Sequence, residues 1–382
     1  MLPLSYAVRN LFRVPARLIQ LVLGAALVIL LLMLAAALSE GMDQVLRSSG
    51  SNLNVIVLGA GSEESVERSE IPASVPSLLA ASVPGIKTVL GKVAVSPEIH
   101  YSGLLRSGDG EPRQALLRGV TPAALLVHPD VRLIAGRFPR AGEVMVGRLA
   151  EHKLELPEGA LRPGGRVVIA DSTFDVVGVF QAPGTVMEAE VWADVNDMRA
   201  VGQRDTLSCA VVRLDEATFD DVEIFTLQRL DLELVAMLES AYYAKLSAFY
   251  GPIRAMTWLT AGLVAAGALF GGLNILYAAF ASRIREMATL QAIGYTRLAL
   301  LLSLLQECLL AALAGVFLAG AAALLWADGF AVAFAIGTFT LEISPGILAI
   351  GVVGGVALAI LGALPPAWTC LKPRLPNALR GG

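Results

Sequence analysis

Three histidines, His100, His128 and His152, and a scatter of carboxylates are the residues of this sequence best suited to acid–base or metal chemistry. Metal-binding histidines recur at short fixed intervals, as in H-E-x-x-H, and these three do not. Glu63-Glu64 and Asp220-Asp221 pair carboxylates, but nothing else in the sequence converges on them, so they read as solvated charge. No G-x-S-x-G elbow and no G-x-x-x-x-G-K-[ST] loop occurs, so this chain does not cradle nucleotide phosphates by a P-loop. Cys209 stands alone in the middle of the chain, while Cys308 and Cys370 lie in or beside apolar runs. They read as small buried residues without disulfide or metal spacing. The sequence therefore predicts no catalytic residue, no metal and no cofactor bound by this chain.

Two polar features remain. Glu307 is an acid inside a long apolar run, and the segment from Ala281 to Arg297 is basic at its start and amphipathic after it. Ile284, Met287, Ala288, Leu290 and Ile293 fall mostly on one helical face, and Gly294 can end the helix. Such a segment is either an ordinary basic loop that sets topology or a short helix laid into the groove of a partner.

The elements that position these residues are membrane spans. The chain has 382 residues, 55% of them hydrophobic and 16% charged, and the apolar excess is gathered into a few long runs. About 20 apolar residues cross a bilayer, and the qualifying stretches are 18–38, 255–281, 298–326 and 345–364. The first resembles a signal peptide in its basic start and Ala-rich end, but its apolar run is longer than a signal core. Arg9, Arg13 and Arg17 precede span one, Arg283, Arg285 and Arg297 separate spans two and three, and Lys372, Arg374 and Arg380 follow span four. The 327–344 connection has Asp328 and Glu342 but no Lys or Arg. By the positive-inside rule the 1–17 segment, the 282–297 loop and the 365–382 tail face the cytoplasm, while 39–254 and 327–344 face outward. The expected location is a bacterial inner (plasma) membrane with the large domain periplasmic or extracellular. Gly267 and Gly271 on span two, and Gly351 and Gly355 on span four, have the small-xxx-small spacing that lets helices approach closely. Glu307 is expected to make a polar or packing contact inside the protein.

Residues 40–252 carry 29 acidic and 19 basic side chains, a net of −10, and the remainder is basic by six. This charge pattern gives no nucleic-acid face. The segment is long enough to bury its own core, in one or two lobes. Strands are predicted at 52–58, 88–95, 114–120, 143–146, 166–170 and 174–180, and helical patches at 77–81, 122–126 and 195–200. Residues 39–48 extend span one as helix. Residues 233–250 read as a second helix leading to a break at Gly251-Pro252. The expected fold is a membrane protein of four transmembrane helices plus a mixed α/β domain on a helical stalk.

The 281–297 segment resembles the coupling segment of FtsX-like permeases in Arg283, Arg285-Glu286, the Ala292-Ile293-Gly294 turn and the Glu307 that follows. Gly50-Ser-Asn-Leu-Asn-Val55, Gly142-Glu-Val-Met-Val-Gly147, Val176–Phe180 and the tail from Pro366-Ala367 to Pro376-Asn-Ala-Leu-Arg380 resemble further motifs of the MacB/FtsX-type ABC transporter permeases, of the size without a fused ATPase. Gln291 departs from a position that is usually basic. The resemblance implies a permease subunit that is not itself an ATPase. It would act with a second permease copy or paralogue over a separate cytoplasmic ATPase dimer that binds ATP and Mg. Its coupling loop would be carried by Arg283, Arg285, Glu286, Leu290, Ile293 and Gly294. It also implies mechanotransmission to the outer domain, for export or extraction of a lipid, lipoprotein or hydrophobic compound, with a periplasmic adaptor and outer-membrane protein as further partners. Two other functions fit the same features: regulation of a periplasmic cell-wall hydrolase, as FtsX itself does, and a membrane-anchored periplasmic enzyme.

Overall fold

The computed structural model describes residues 3–108 and 110–372. Arg374, Arg380 and the Pro376–Arg380 motif lie outside the described residues. The described residues form two compact units, one within 1–40, 252–330 and 341–372, the other within 41–251 and 331–340.

In chain order the elements begin with α1 (Leu4–Leu11) and α2 (Pro15–Ser49), followed by β1 (Asn54–Gly59), α3 (Val75–Ser82) and the small hairpin β2 (Thr88–Val89) and β3 (Lys92–Val93). Next come β4 (Val95–Ser107), β5 (Arg113–Val120), α4 (Ala124–Val127), β6 (Arg132–Gly136), β7 (Glu143–Gly147), α5 (Ala150–Lys153), β8 (Arg166–Ile169) and β9 (Ser172–Gln181). The domain closes with β10 (Val191–Asp194), α6 (Val195–Val201), β11 (Cys209–Arg213), α7 (Phe219–Gln228), β12 (Leu234–Leu238) and α8 (Glu239–Phe249). Helices α9 (Gly251–Ala281), α10 (Ile284–Ala292) and α11 (Arg297–Ala322) follow, then a hairpin of β13 (Ala331–Phe334) and β14 (Gly337–Thr340), and α12 (Pro345–Leu371).

In the membrane unit, α2, α9, α12 and the 297–327 helix that contains α11 are each long and apolar enough to span a bilayer. Each begins or ends beyond its apolar run, because helix costs little to extend once nucleated. Thr296 and Ser344 cap α11 and α12 through their hydroxyls. Helix α12 continues through Pro365 and Pro366 to Leu371 instead of stopping at 364, since Ala367, Cys370 and Leu371 still bury an apolar face. The span-four glycines pack closely. A Cβ on Gly351 would lie 2.8 Å from Met33 Sδ, and one on Gly355 2.5 Å from Val316 Cγ2. The span-two glycines differ from expectation: a Cβ on Gly267 or Gly271 meets nothing within 4 Å among the described residues.

The outer unit is a mixed α/β domain around one ten-stranded sheet, β12-β1-β11-β4-β5-β10-β7-β9-β6, with β8 joined to β4 and β9. Strand β4 links its two halves. Residues 95–98 pair with β11 and residues 99–105 with β5. Val55, Val57, Ile99, Leu117, Val144, Val146 and Val212, among others, fill the main core, alternate residues of each strand sharing one face of the sheet, while the opposite faces of β1, β7 and β11 are buried as well. A second cluster gathers Phe180 and Trp192, with ring centroids 4.8 Å apart.

Three expectations fail here. Residues 88–95 are not one strand: β2 and β3 form a hairpin turned at Leu90-Gly91, both at positive φ, and β4 begins at Val95. Residues 234–238 are a strand, β12, and only 239–249 are helix. The apolar spacing of Leu234, Met237 and Leu238 suits either element, and the open edge of β1 takes them as a strand. The 327–344 connection is not a plain loop. Ala331–Phe334 and Gly337–Thr340 form a hairpin closed by Ala335-Ile336, and it belongs to the outer unit. There Phe339 lies where a Cβ of Gly41 would be, and Lys153 Nζ donates to the Phe334 carbonyl.

Candidate functional site

The coupling segment is built from local signals. Helix α10 follows a turn at Ser282-Arg283 and ends at Ala292, with Ile293 as its C-cap and Gly294 at φ +109°, a conformation that suits glycine. Met287 and Ala288 are buried, Ile284 and Leu290 partly so, and Ile293 is 71% exposed. The amphipathic face therefore divides. Its first part packs in the cluster that holds Leu300, Leu304 and Cys370, and its last residue is free for another surface.

Polar contacts hold this helix in place. Arg283 donates through both Nη atoms to Glu307, at 2.7 and 3.2 Å, and Asn10 Nδ2 donates to the same carboxylate at 3.1 Å. Arg283 Nε lies 3.4 Å from Glu286, which also accepts from Arg13 Nη1 at 2.5 Å. Burial alone would lower the Arg283 pKa, but the hydrogen bond and charge of Glu307 outweigh it and raise it. Burial would likewise raise Glu286, but the Arg13 contact holds it below the usual carboxylate range. One chain of ion pairs thus ties the start of α10 to α11 and to the segment between α1 and α2. Arg285 is exposed, with no side-chain partner among the described residues. Of the sequence-derived residues, Arg283, Glu286 and Glu307 come together. Arg285 and Ile293 point outward, and Leu290 is half-buried.

A second polar centre, in the outer domain, escaped sequence reasoning. Arg118 on β5 is buried and forks onto Glu190, with Nε and Nη2 each at 2.7 Å, while its Nη1 reaches Glu98 at 2.8 Å. Trp192 donates to Glu190 at 2.8 Å, and its ring lies 5.6 Å from the guanidinium carbon. His128 Nε2 lies 3.0 Å from Glu98, and its Nδ1 lies 3.7 Å from Glu239 at the head of α8. Glu239 also accepts from Asn54 Nδ2 at 2.8 Å and from the Ser51 amide at 3.0 Å. The residues that follow α2 and the first residue of α8 are therefore joined by one carboxylate, and His128 links that carboxylate to the sheet.

Burial opposes each charge in this centre. It pushes Glu98 up, yet Arg118 and His128 overcome it and hold the acid well below its usual range. Burial would lower His128, but Glu98 and then Glu239 raise it above an ordinary histidine. His100 is lowered, by burial and then by Arg118, and the Cys209 thiol is pushed well up by burial and by Glu98. Glu98, His100 and Cys209 place one donor atom each within 4.8 Å of one another, a geometry that a metal ion can use. Both oxygens of Glu98 already accept from Arg118, His100 and His128, however, so its charge is taken up by the ion network. Only β-pairing could have revealed the cluster. His100 sits opposite Arg118, Arg118 opposite Trp192, and Glu98 opposite Cys209.

Four apolar helices, an α/β domain between the first and second, and an ion-paired amphipathic helix between the second and third define a polytopic membrane protein with a large domain outside the bilayer. Residues 18–223 match the MacB-like periplasmic core domain and residues 258–374 the FtsX-like permease C-terminal domain, so the chain belongs to the MacB/FtsX-like ABC transporter permeases. It is a permease component with a periplasmic domain. No curated protein is significantly similar to it. Among solved structures, the periplasmic region of MacB from Actinobacillus actinomycetemcomitans is 15% identical, covering 53% of this chain and 95% of that one, with a TM-score of 0.40. A permease domain from Porphyromonas gingivalis is 17% identical over 48% and 88%, with a TM-score of 0.35. The extracellular domain of the noncanonic ABC-type transporter YknZ from Gram-positive bacteria is 14% identical over 48% and 99%, with a TM-score of 0.36.

Proposed function

We propose that this chain converts ATP binding and hydrolysis by a separate cytoplasmic ATPase dimer into movement of its periplasmic domain. That movement serves export or extraction of a lipid, lipoprotein or other hydrophobic compound. The supporting observation is the anchorage of α10. Its base is fixed by the Arg283–Glu307 and Arg13–Glu286 pairs, while Arg285 and Ile293 stay exposed at its surface. A helix held at one side and bare at the other can receive a push and pass it to the spans. ATP and Mg belong to the partner, both termini lie in the cytoplasm, and a second permease copy or paralogue completes the machine.

The test is purification of the full chain from native membranes in mild detergent, with and without Arg285→Glu combined with Ile293→Asp. An ATP-binding subunit is expected to copurify with the unsubstituted chain and to be lost from the variant. Absence of any ATPase from the unsubstituted chain, even after crosslinking, refutes the proposal. A cell-wall hydrolase bound to the outer domain, with no lipid or lipoprotein extracted, would move the reading to regulation.

A further inference from the structure

A cleft runs through the membrane unit between α2 and α9, with α11 and α12 at its back. Its polar end, about 430 Å³, is lined by Arg13, Arg17, Arg283, Glu286 and Glu307 together with apolar residues. Its apolar end, about 270 Å³, is lined by Gly24, Leu269, Gly271, Gly272 and small residues of α11 and α12. Leu21, Leu276 and Cys308 line both, so the two spaces adjoin across these side chains. Its volume falls in the range of small-molecule and cofactor pockets. Glycine keeps it open: a Cβ built on Gly24, Gly271 or Gly272 meets nothing within 4 Å.

The charges at the polar end are uneven. Glu307 is taken by Arg283 and Asn10, and Glu286 by Arg13 and Arg283. Arg17 lines the same space, is half-buried, and has no carboxylate partner among the described residues. Arg13 is 63% exposed and spends one nitrogen on Glu286, so further donors remain. Three guanidinium groups against two saturated carboxylates leave one positive charge beside an apolar cleft that opens within the span of a bilayer. An amphiphile with an anionic head and a hydrocarbon tail matches that sequence of surfaces.

We infer that the cleft holds an anionic phospholipid as a resident ligand, its phosphate on Arg17 and Arg13 and one acyl chain along Gly24, Gly271 and Gly272. Arginine binds phosphate by paired N–H donors, and basic pockets between spans bind anionic headgroups. The inference goes beyond the proposed function and rests on it only for the leaflet: with the termini inside, the cytoplasmic leaflet supplies the lipid. The lipid would fix the distance between α2 and α9 beside the Arg283–Glu307 pair.

The experiment is native mass spectrometry of the full chain released from nanodiscs of equal parts phosphatidylglycerol and phosphatidylcholine with matched chains. Phosphatidylglycerol should be retained preferentially. Arg17→Gln should lower that retention about tenfold, the loss of one charge-assisted contact. Gly24→Leu, which fills open space and threatens no neighbour, should lower retention of both lipids. Equal retention of the two lipids, or an Arg17→Gln chain that holds phosphatidylglycerol as before, overturns the inference. So does a disulfide-linked dimer through Gly272→Cys in native membranes, which would put a second copy in the cleft. ATPase copurification is read separately, in the native-membrane eluates of the same chains before they enter nanodiscs, so failure of the lipid site and failure of the transporter reading are told apart.

Discussion

Replacing Glu307 tests whether the coupling helix is anchored as described. The carboxylate accepts Arg283 at 2.7 and 3.2 Å and Asn10 at 3.1 Å. The Arg283 side chain is 12% exposed, and its guanidinium does not shed its proton when the partner is removed. Glu307→Leu therefore leaves a largely desolvated cation with Glu286, at 3.4 Å, as its remaining carboxylate partner among the described residues, beside the Tyr6 hydroxyl. Breaking a buried pair in this way costs about 3–5 kcal/mol. Glu307→Gln keeps neutral acceptors in place and should cost about 1–2 kcal/mol. Cys370 is a native reporter, because it shares a buried cluster with Met287 of α10 and with Leu300 and Leu304 of α11. In a Cys308→Ala background, maleimide should label Cys370 of the leucine variant on the order of a hundredfold faster, the effect of about 3 kcal/mol on local opening. Cys209, buried in the outer domain, is the internal clock and should not change. Arg283→Leu together with Glu307→Leu should label more slowly than either single variant, since neither charge is then stranded. The reasoning is refuted if Glu307→Leu leaves Cys370 labelling within about threefold of the parent, or if Cys209 accelerates as much.

Other outcomes follow from the same geometry. Arg118→Met strands Glu98 and Glu190 and should cost the outer domain about 3–5 kcal/mol, or roughly 8–15 °C in its melting transition; adding Glu190→Gln should recover part of that loss. His128 faces Glu98, Glu239, Arg118 and Trp192, and its pKa is raised in the folded state against burial, chiefly by Glu98. Its contribution is therefore complete below the unfolded value of about 6.5 and is lost as pH rises through the higher folded value. Melting of the outer domain should fall across that window, and His128→Gln should flatten the profile. Gly355→Leu should disrupt packing against Val316 and Ile29 and lower folded yield sharply, whereas Gly267→Leu should express and melt as the parent does.

The spans were legible because long apolar runs have few alternatives, and α10 because its face and terminal glycine agree. The mixed α/β character of the outer domain showed in its β-branched runs and Gly/Pro breaks. Strand β4 did not show, since Ser96, Pro97, Ser102 and Gly103 interrupt its apolar alternation. Strand β6 did not show because its residues are all exposed and carry no burial pattern. The partners of Glu307 were invisible for another reason. Arg283 is 24 residues away and Asn10 is 297, and no local period connects them. The Arg118 centre is the same case in a sheet, where register brings together charges that sequence spacing scatters.

The hairpin of β13 and β14 has a consequence for biosynthesis. Its residues complete the outer domain, yet they are made after α9, α10 and α11. About 90 residues separate Gly251 from Thr340, on the order of ten seconds of translation at typical rates. During that interval the newborn domain outside the membrane lacks the strands that cover Gly41 and engage Lys153. Its final closure must await insertion of the third span, so assembly of the bilayer portion and maturation of the exterior portion are ordered in time by the chain itself. A periplasmic fragment ending at residue 251 would resemble that waiting intermediate rather than the finished domain.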